Sequence, residues 1–489
     1  MKSNDVRDDS NAVRDPRRWW ILVVLCLSLL VLVVDNTVLN LAIPKLISDL
    51  GASPGEIQWI LDAYVLAFAG LLLTAGSLSD RYGRRRFLII GLVFFGGASL
   101  LAVLASEPWE LIGARALMGV GGAILMPSTL SILMTVFDEG ERRKAMAAWS
   151  AVAMVGVIAG PTLGGFLLDN YWWGSVFLLN IPIAAVAVLA AVTLMPETRS
   201  AGRKIDPVGV VLSIIGLTSA VYVIIEREWN VAGIAVAVVA LGAFVVWERR
   251  SPHAMLPLEL FRNRNFSGAS FSILLMSFGA GAVMLMLTQY LQFVLGYGPM
   301  RAGLALLPYA VAAALFNGVG AALGQKVSNR ILVAAGLLVM AAGFAVMATT
   351  TGYPLLLTGL LVMGVGGGLA GPAAYASLMG AIPMEHAGVG SALNDTVQQV
   401  GMAMSIAILG SVLAGVFTAS MPADVPEAAR ASIGDAFRLG VVEPAKAAFT
   451  DAMHLGAWVG AGFCVAAAML ALAVLRPPAP VAAPEPARV

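Results

Sequence analysis

The sequence predicts an all-α integral membrane protein of fourteen transmembrane helices, built as two six-helix halves with two further helices inserted between them. Three observations predict it. Fourteen apolar segments punctuate the chain, basic residues fall on alternate connections between them, and a glycine-rich pattern recurs 245 positions apart.

The first observation begins with composition. The chain has 489 residues, 59% of them hydrophobic and 12% charged, with a mean hydropathy of +0.86. A soluble chain of this length needs more polar surface. The segments run over about 19–42, 57–76, 87–106, 110–134, 145–168, 174–195, 207–226, 229–248, 268–294, 302–323, 331–349, 354–379, 395–417 and 452–475. Most approach or exceed the ~20 residues that cross a hydrocarbon core. Residues 1–18 form a polar tail with Arg14, Arg17 and Arg18 ahead of Trp19. The run that follows is too long for the core of a cleaved leader, so it is an uncleaved first span. Two cysteines, Cys26 and Cys464, and three histidines exclude a disulfide framework and a Cys/His metal site.

The second observation fixes topology. Of the 30 basic residues, 23 fall in the two tails and the even-to-odd connections, six fall on the other side, and Arg115 lies within a span. This bias places both termini in the cytoplasm of a cell bounded by that membrane.

The third observation is the repeat. Leu117-Met118-Gly119-Val120-Gly121-Gly122, with Pro127, recurs as Val362-Met363-Gly364-Val365-Gly366-Gly367, with Pro372. At the same offset Gly156 maps to Gly401 and Gly165 to Gly410. The expected organisation is a tail at 1–18, a first half at 19–200, inserted helices at 201–252, a second half at 253–476 and a disordered tail at 477–489. The long connection at 418–451 is either an amphipathic hairpin or a gate over the outer mouth. Paired halves of this kind describe a secondary transporter with its site at their interface. Single Gly-rich runs also serve close helix packing.

Charges inside the apolar runs are the candidates for function, because they are costly there. Asp35 lies deep in the first span and is placed to take up and release a proton, unless that span ends early. Asp62, in the second span, is a second proton site or an interfacial acid. Arg115, in the fourth span, either pairs with an acid at a cavity or snorkels outward. Asp395 opens the thirteenth span as an N-cap or gate contact, with a proton site as the alternative. Arg115 maps to Leu360 in the repeat, so charged chemistry belongs to the first half and much of the substrate surface to the second. Candidate cavity residues there are Gln289, Gln292, Phe316, Asn317, Tyr375 and Gln398, joined from the first half by Asn36, Tyr64, Met126 and Trp149. Methionines give such a surface adaptability.

Between the second and third spans stands Gly76-Ser77-Leu78-Ser79-Asp80-Arg81-Tyr82-Gly83-Arg84-Arg85-Arg86. Its glycines permit a tight reversal. The pattern Gly-x-x-x-Asp-Arg-x-Gly-Arg-Arg resembles the signature loop of the major facilitator superfamily. Four further stretches are similar to its fourteen-helix drug:H+ antiporter-2 branch, the EmrB/QacA-type exporters: Leu32–Pro44, Gln58-Trp59 to Tyr64, Arg115–Pro127, and Gly156-x-x-x-Gly160-Pro161-x-x-Gly164-Gly165. The resemblance covers essentially the whole chain and implies the major facilitator fold. It implies a conformational latch at Gly76, Asp80, Arg81, Gly83, Arg84 and Arg85, with Asp80 bonding across to the second half or capping a helix, and Arg81, Arg84 and Arg85 binding acidic groups or the headgroups of membrane lipids. It implies a pivot at Gly156, Gly160, Pro161, Gly164 and Gly165. Some relatives carry an acid in the tenth span that suits divalent cations; here that span holds Asn317 and no acid.

The expected function is proton-coupled antiport of hydrophobic and cationic drugs or dyes, by a monomer in the cytoplasmic membrane. It needs no cofactor, metal or nucleic acid, is driven by the proton gradient and is not an enzyme. The alternatives are a dedicated exporter of an endogenous metabolite or lipid, and a non-transporting membrane sensor or scaffold.

Overall fold

A computed structural model describes residues 16–199, 206–226, 231–252, 258–382 and 387–475. The helices, in chain order, are α1 (Arg18–Asp49), α2 (Pro54–Tyr82), α3 (Arg84–Leu104), α4 (Pro108–Val136), α5 (Glu139–Asn170), α6 (Ser175–Leu194), α7 (Pro207–Ile225), α8 (Val231–Arg250), α9 (Arg264–Gln289), α10 (Pro299–Leu323), α11 (Asn329–Met347), α12 (Tyr353–Met379), α13 (Ala387–Ser420) and α14 (Val442–Val474). Among the described residues, thirteen of these are long and apolar enough to cross a bilayer. The other, α9, has 26 residues and stands where the ninth apolar segment lies. The chain is a multi-pass membrane protein. Its outer surface is apolar, with residues such as Val93, Leu189, Leu315 and Met469 turned outward.

Several helices outrun their apolar segments. α1, α5, α13 and α14 each exceed 30 residues, so at ~1.5 Å per residue they project past a hydrocarbon core of about 30 Å. Polar caps hold the starts of α2 and α5. The Ser53 hydroxyl accepts from Glu56 N while the Glu56 carboxylate accepts from Ser53 N. Asp138 accepts from Glu141 N at the start of α5. Both satisfy backbone donors that the first helical turn leaves free.

The repeat is structural down to single backbone atoms. A Cβ on Gly119 would overlap the carbonyl oxygen of Tyr64, and one on Gly364 would overlap that of Tyr309. A Cβ on Gly121 would meet the backbone of Gly91 and Phe95; on Gly366, that of Gly336 and Met340. Each pair differs by the same 245 positions. The packing of α2 and α3 on α4 therefore recurs as α10 and α11 on α12, and α1 on α5 recurs as α9 on α13. Lipid tails supply little drive for helices to associate, so close backbone approach over small residues takes its place. The inserted helices α7 and α8 pack on each other, and α7 lies against α2 and α13.

The halves meet through α2 on α13 and α5 on α10, two contacts related by the same repeat. We call the face carrying the Gly83 turn the basic face and the opposite one the hairpin face. Toward the hairpin face the halves are tied directly. Asp169 Oδ2 of α5 accepts from Met300 N at the start of α10, at 3.1 Å. Gln292 Nε2 donates to Leu41 O at 3.1 Å. Arg438 donates to the carbonyls of Ile47 and Ser48 at the end of α1.

The structure corrects three expectations. Residues 76–82 belong to the last turns of α2, and the reversal is made at Gly83 alone, at φ +124. The hairpin connection is shorter than 418–451, because α13 continues to Ser420 and α14 begins at Val442. Within it a short helix, Ile433–Arg438, buries Ile433, Gly434 and Ala436, and Phe437 meets Phe293 at 5.2 Å. Asp395 is not an N-cap, because α13 begins at Ala387 and carries it inside the helix, where it accepts from the Asn394 amide. Residues 1–15 of the tail expected at 1–18, and the tail expected at 477–489, lie outside the described residues.

Replacing Gly366 by leucine should force α11 off α12, at a cost of ~1–3 kcal/mol from overpacking. A lowered melting temperature of the purified protein in detergent is the expected result. An unchanged melting temperature would show that the close approach carries no stability.

Candidate functional site

Asp35 and Arg115 find each other. Asp35 sits midway along α1 and is 3% exposed; Arg115 sits two turns into α4 and is 1% exposed. Arg115 Nη1 donates to Asp35 Oδ2 at 2.6 Å, and Arg115 Nε donates to Ile60 O of α2 at 3.2 Å. The guanidinium carbon lies 4.4 Å from the centre of the Tyr64 ring. A buried guanidinium with an ion pair, a carbonyl acceptor and an aromatic face has replaced most of what water gave it.

The other carboxylate oxygen is also occupied. Asn180 Nδ2 donates to Asp35 Oδ1 at 2.9 Å and lies 3.2 Å from Ser99 Oγ. Asn180 is 1% exposed and begins the second segment of α6, just after a break at Leu179. Pro182 accounts for the break: its ring excludes a regular helix against the carbonyl four residues earlier. Sequence reasoning missed Asn180 and Ser99. The available signal was an asparagine two residues before a proline within an apolar run.

Arg115 opens onto a cavity of about 210 Å3 between the halves. Asn36, Thr37 and Asn40 of α1, Leu61 and Val65 of α2, and Val157 and Pro161 of α5 line one side. Met284 of α9, Leu306, Tyr309 and Ala310 of α10, and Met402 and Ile406 of α13 line the other. The charged wall belongs to the first half; the second is apolar apart from Tyr309. Tyr309 is the repeat counterpart of Tyr64, a relation the 245-residue offset contained.

Of the ten candidate cavity residues, Asn36 lines this space. Tyr64 lies behind Arg115. Met126 and Trp149 are partly buried against the core. Gln289 donates to Leu285 O and lines a smaller pocket with Gln58. Gln292 ties α1 to the second half, as described above. Phe316 and Gln398 are half-buried, and Asn317 and Tyr375 are exposed. Asp62 is fully buried, and among the described residues neither of its carboxylate oxygens has a hydrogen-bond partner.

The 76–86 stretch is held within the first half. Asp80 Oδ1 pairs with Arg84 Nε at 2.7 Å, rather than reaching the second half. It does not cap α3 either. That role falls to Glu197, whose carboxylate accepts from Arg85 N and Arg86 N. A Cβ at Gly83 would strike this carboxylate, so the site needs glycine for space as well as for its positive φ. Arg85 Nη1 donates to Met195 O, and the Arg81 guanidinium stands 5.4 Å from the Tyr82 ring centre. Gly76 passes close to Pro127 of α4.

The expected pivot glycines have two neighbours. Gly156, Gly160 and Gly164, four residues apart on one face of α5, meet Val33, Thr37 and Val38 of α1. Gly165 meets the backbone of Met300 on α10, and Gly303 of α10 meets Pro161 O. α5 thus touches its own half and the other through glycine.

Removing one member of a buried ion pair leaves an uncompensated charge, typically worth ~3–5 kcal/mol. Arg115→Leu should therefore lower the melting temperature well below that of wild type. Asp35→Asn combined with Arg115→Leu should recover most of the loss; no recovery in the double variant would show that the pair is not what Arg115 stabilises.

Comparison with known proteins agrees with this architecture. The family model described as Major Facilitator Superfamily matches residues 25–406 and 269–488. The multidrug efflux pump LfrA of Mycolicibacterium smegmatis is 33% identical over 466 residues, covering 91% of this chain and 92% of that protein. The puromycin resistance protein pur8 of Streptomyces alboniger is 37% identical over 427 residues, 84% of each. Among solved structures, a bacterial homolog of the human lysosomal transporter Spinster, inward-facing and occupied, superposes with a TM-score of 0.70 at 17% identity, covering 94% of this chain and 97% of that one. With its repeated halves, the family-model match and these relatives, the chain belongs to the major facilitator superfamily.

Proposed function

We propose that this protein exports hydrophobic and cationic drugs or dyes across the cytoplasmic membrane in exchange for protons. The observation that carries the reading is the buried Asp35–Arg115 pair, whose Arg115 lines a cavity shared by the two halves. A carboxylate there is neutralised when it takes up a proton, which releases the guanidinium and changes the charge facing a substrate. Both relatives named above are drug exporters or resistance proteins by name, which supports the substrate class. The basic-residue bias supports a cytoplasmic basic face and cytoplasmic termini. In that orientation the ties through Asp169, Gln292 and Arg438 close the outer side, and the state described is closed to the exterior. Each proton crossing with the field is worth ~2.3 kcal/mol per 100 mV, which biases the alternation of the two states.

A second reading is a dedicated exporter of one compound. The relative pur8, named for resistance to a single drug, favours it.

Ethidium efflux from vesicles, with and without an imposed pH gradient, tests the proposal. Efflux should follow the gradient in wild type and be lost in Asp35→Asn that remains inserted and folded. Efflux indifferent to the gradient would remove proton coupling, and absence of dye movement would favour the single-compound reading.

Closure of the hairpin face is tested by joining α5 to α10 there. Cysteines replacing Asp169 and Met300, oxidised to a disulfide, should stop transport and release it again on reduction. Continued transport with the bond intact would show that these helix ends need not part.

A further inference from the structure

We propose that Asn180 is a positioning residue for proton exchange at Asp35, holding the carboxylate in its ionised, Arg115-paired form and yielding when the proton arrives. The inference rests on the reading of Asp35 as the coupling site.

Asp35 accepts on both oxygens from different elements. Oδ2 takes its hydrogen bond from Arg115 of α4, and Oδ1 takes its own from Asn180 of α6. Two donors on two oxygens suit a carboxylate with no proton of its own. Arg115 supplies charge, but a single guanidinium bond to Oδ2 leaves rotation about the Cβ–Cγ bond free. The second bond removes that freedom and turns Oδ2 toward the cavity wall where Arg115 stands.

Asn180 is unusually well placed to do this. It is buried, and its position is fixed by the helix break before Pro182 rather than by a flexible turn. Its amide also reaches Ser99 of α3, so two elements hold it in place. An amide carries both donors and an acceptor. When Asp35 gains a proton, one of its oxygens becomes a donor, and rotation of the Asn180 amide presents an oxygen to receive it. The neighbouring Ser99 hydroxyl can donate or accept and follows the change. Leucine or alanine at position 180 could serve neither state. The proton balance is simple: the carboxylate takes one proton from the aqueous path, and it returns that proton on the other side.

The other titratable or charged side chains on elements packed against α1 at this depth are few. They are Arg115 of α4, Tyr64 and Asp62 of α2, and Tyr309 of α10 across the cavity. Residues 145–168 of α5, all of α6, and α9 beyond Arg264 contain no titratable side chain. Asn180 is therefore the neutral half of a two-donor arrangement whose charged half is Arg115.

The test is proton release from purified protein in weakly buffered detergent, recorded across a pH series as ethidium is added. Wild type should release protons below a defined pH midpoint, and Asp35→Asn should release none. Asn180→Leu, which removes the donor with little change in volume, should move the midpoint upward by about one pH unit, the scale of one lost hydrogen bond to a charged group. Ser99→Ala, a smaller change that frees the Asn180 amide, should move it the same way by less. It also serves if the leucine variant does not fold. Asn180→Gln, which keeps the amide, should return the midpoint toward that of wild type. Release abolished in Asp35→Asn but with an unmoved midpoint in folded Asn180→Leu and in Ser99→Ala would overturn the role of Asn180 and leave Asp35 standing. Release that persists in Asp35→Asn, or is absent from wild type, would overturn both.

Discussion

The rest of the structure depends on keeping two opposite charges out of water in the middle of a bilayer-spanning bundle. Neither could stay there alone: an isolated ion in such a medium costs several kcal/mol even after relaxation. Asp35 and Arg115 remain because α1, α2, α4 and α6 converge on them, giving each carboxylate oxygen a donor and the guanidinium a carbonyl acceptor and an aromatic face. This convergence dictates the packing nearby. Arg115 must reach both Asp35 and the Ile60 carbonyl, which fixes how α4 crosses α2. That crossing is possible only because Gly119 and Gly122, on the same helix, let Tyr64 and Phe68 approach. The ionic centre and the glycine contacts are therefore one arrangement.

The second half shows what the same scaffold does without the charge. Gly364 and Gly366 reproduce the backbone contacts of Gly119 and Gly121, while Leu360, fully buried, stands where Arg115 stands in the first half. Duplicated backbone and divergent side chains give a cavity with unlike walls. One wall holds Arg115, ion-paired behind the surface to Asp35. The other offers Met284, Met402, Leu306 and Ile406, side chains that adapt to varied apolar shapes.

Much of this was legible in the sequence because the determining signals are one-dimensional. Apolar length marked the spans, the basic residues marked their alternation, and the 245-residue offset marked the repeat. A charge in an apolar run stands out, so Asp35 and Arg115 could be named as candidates without a structure. That Arg115 pairs with Asp35, rather than with another acid or with none, was left open, because it depends on the relative rotation of α1 and α4. Asn180 was invisible for a different reason. It is uncharged, and its importance comes from a proline-induced break that points one amide at one carboxylate. Glu197 was missed in the same way: it lies far along the chain from the helix end it caps. The second-half polar residues misled, since Gln289 and Gln292 satisfy backbone carbonyls rather than line the larger cavity. Helix boundaries at Asp395 and in the 76–86 stretch failed where charged residues continue a helix into the interface.

The glycine contacts of α5 have a mechanical consequence. Gly165 meets α10 close to one end of a 32-residue helix. Were the halves to turn about that contact, the helix would act as a lever with its fulcrum near that end, the opposite arm, back to Glu139, being about 39 Å long at 1.5 Å per residue. A rotation of about 10° at the fulcrum carries the far tip through roughly 7 Å for a rigid helix of that length. A glycine contact permits such a rotation with little steric resistance, whereas a bulky side chain would act as a stop. A small tilt at that contact would thereby be magnified toward the Glu139 end of the helix.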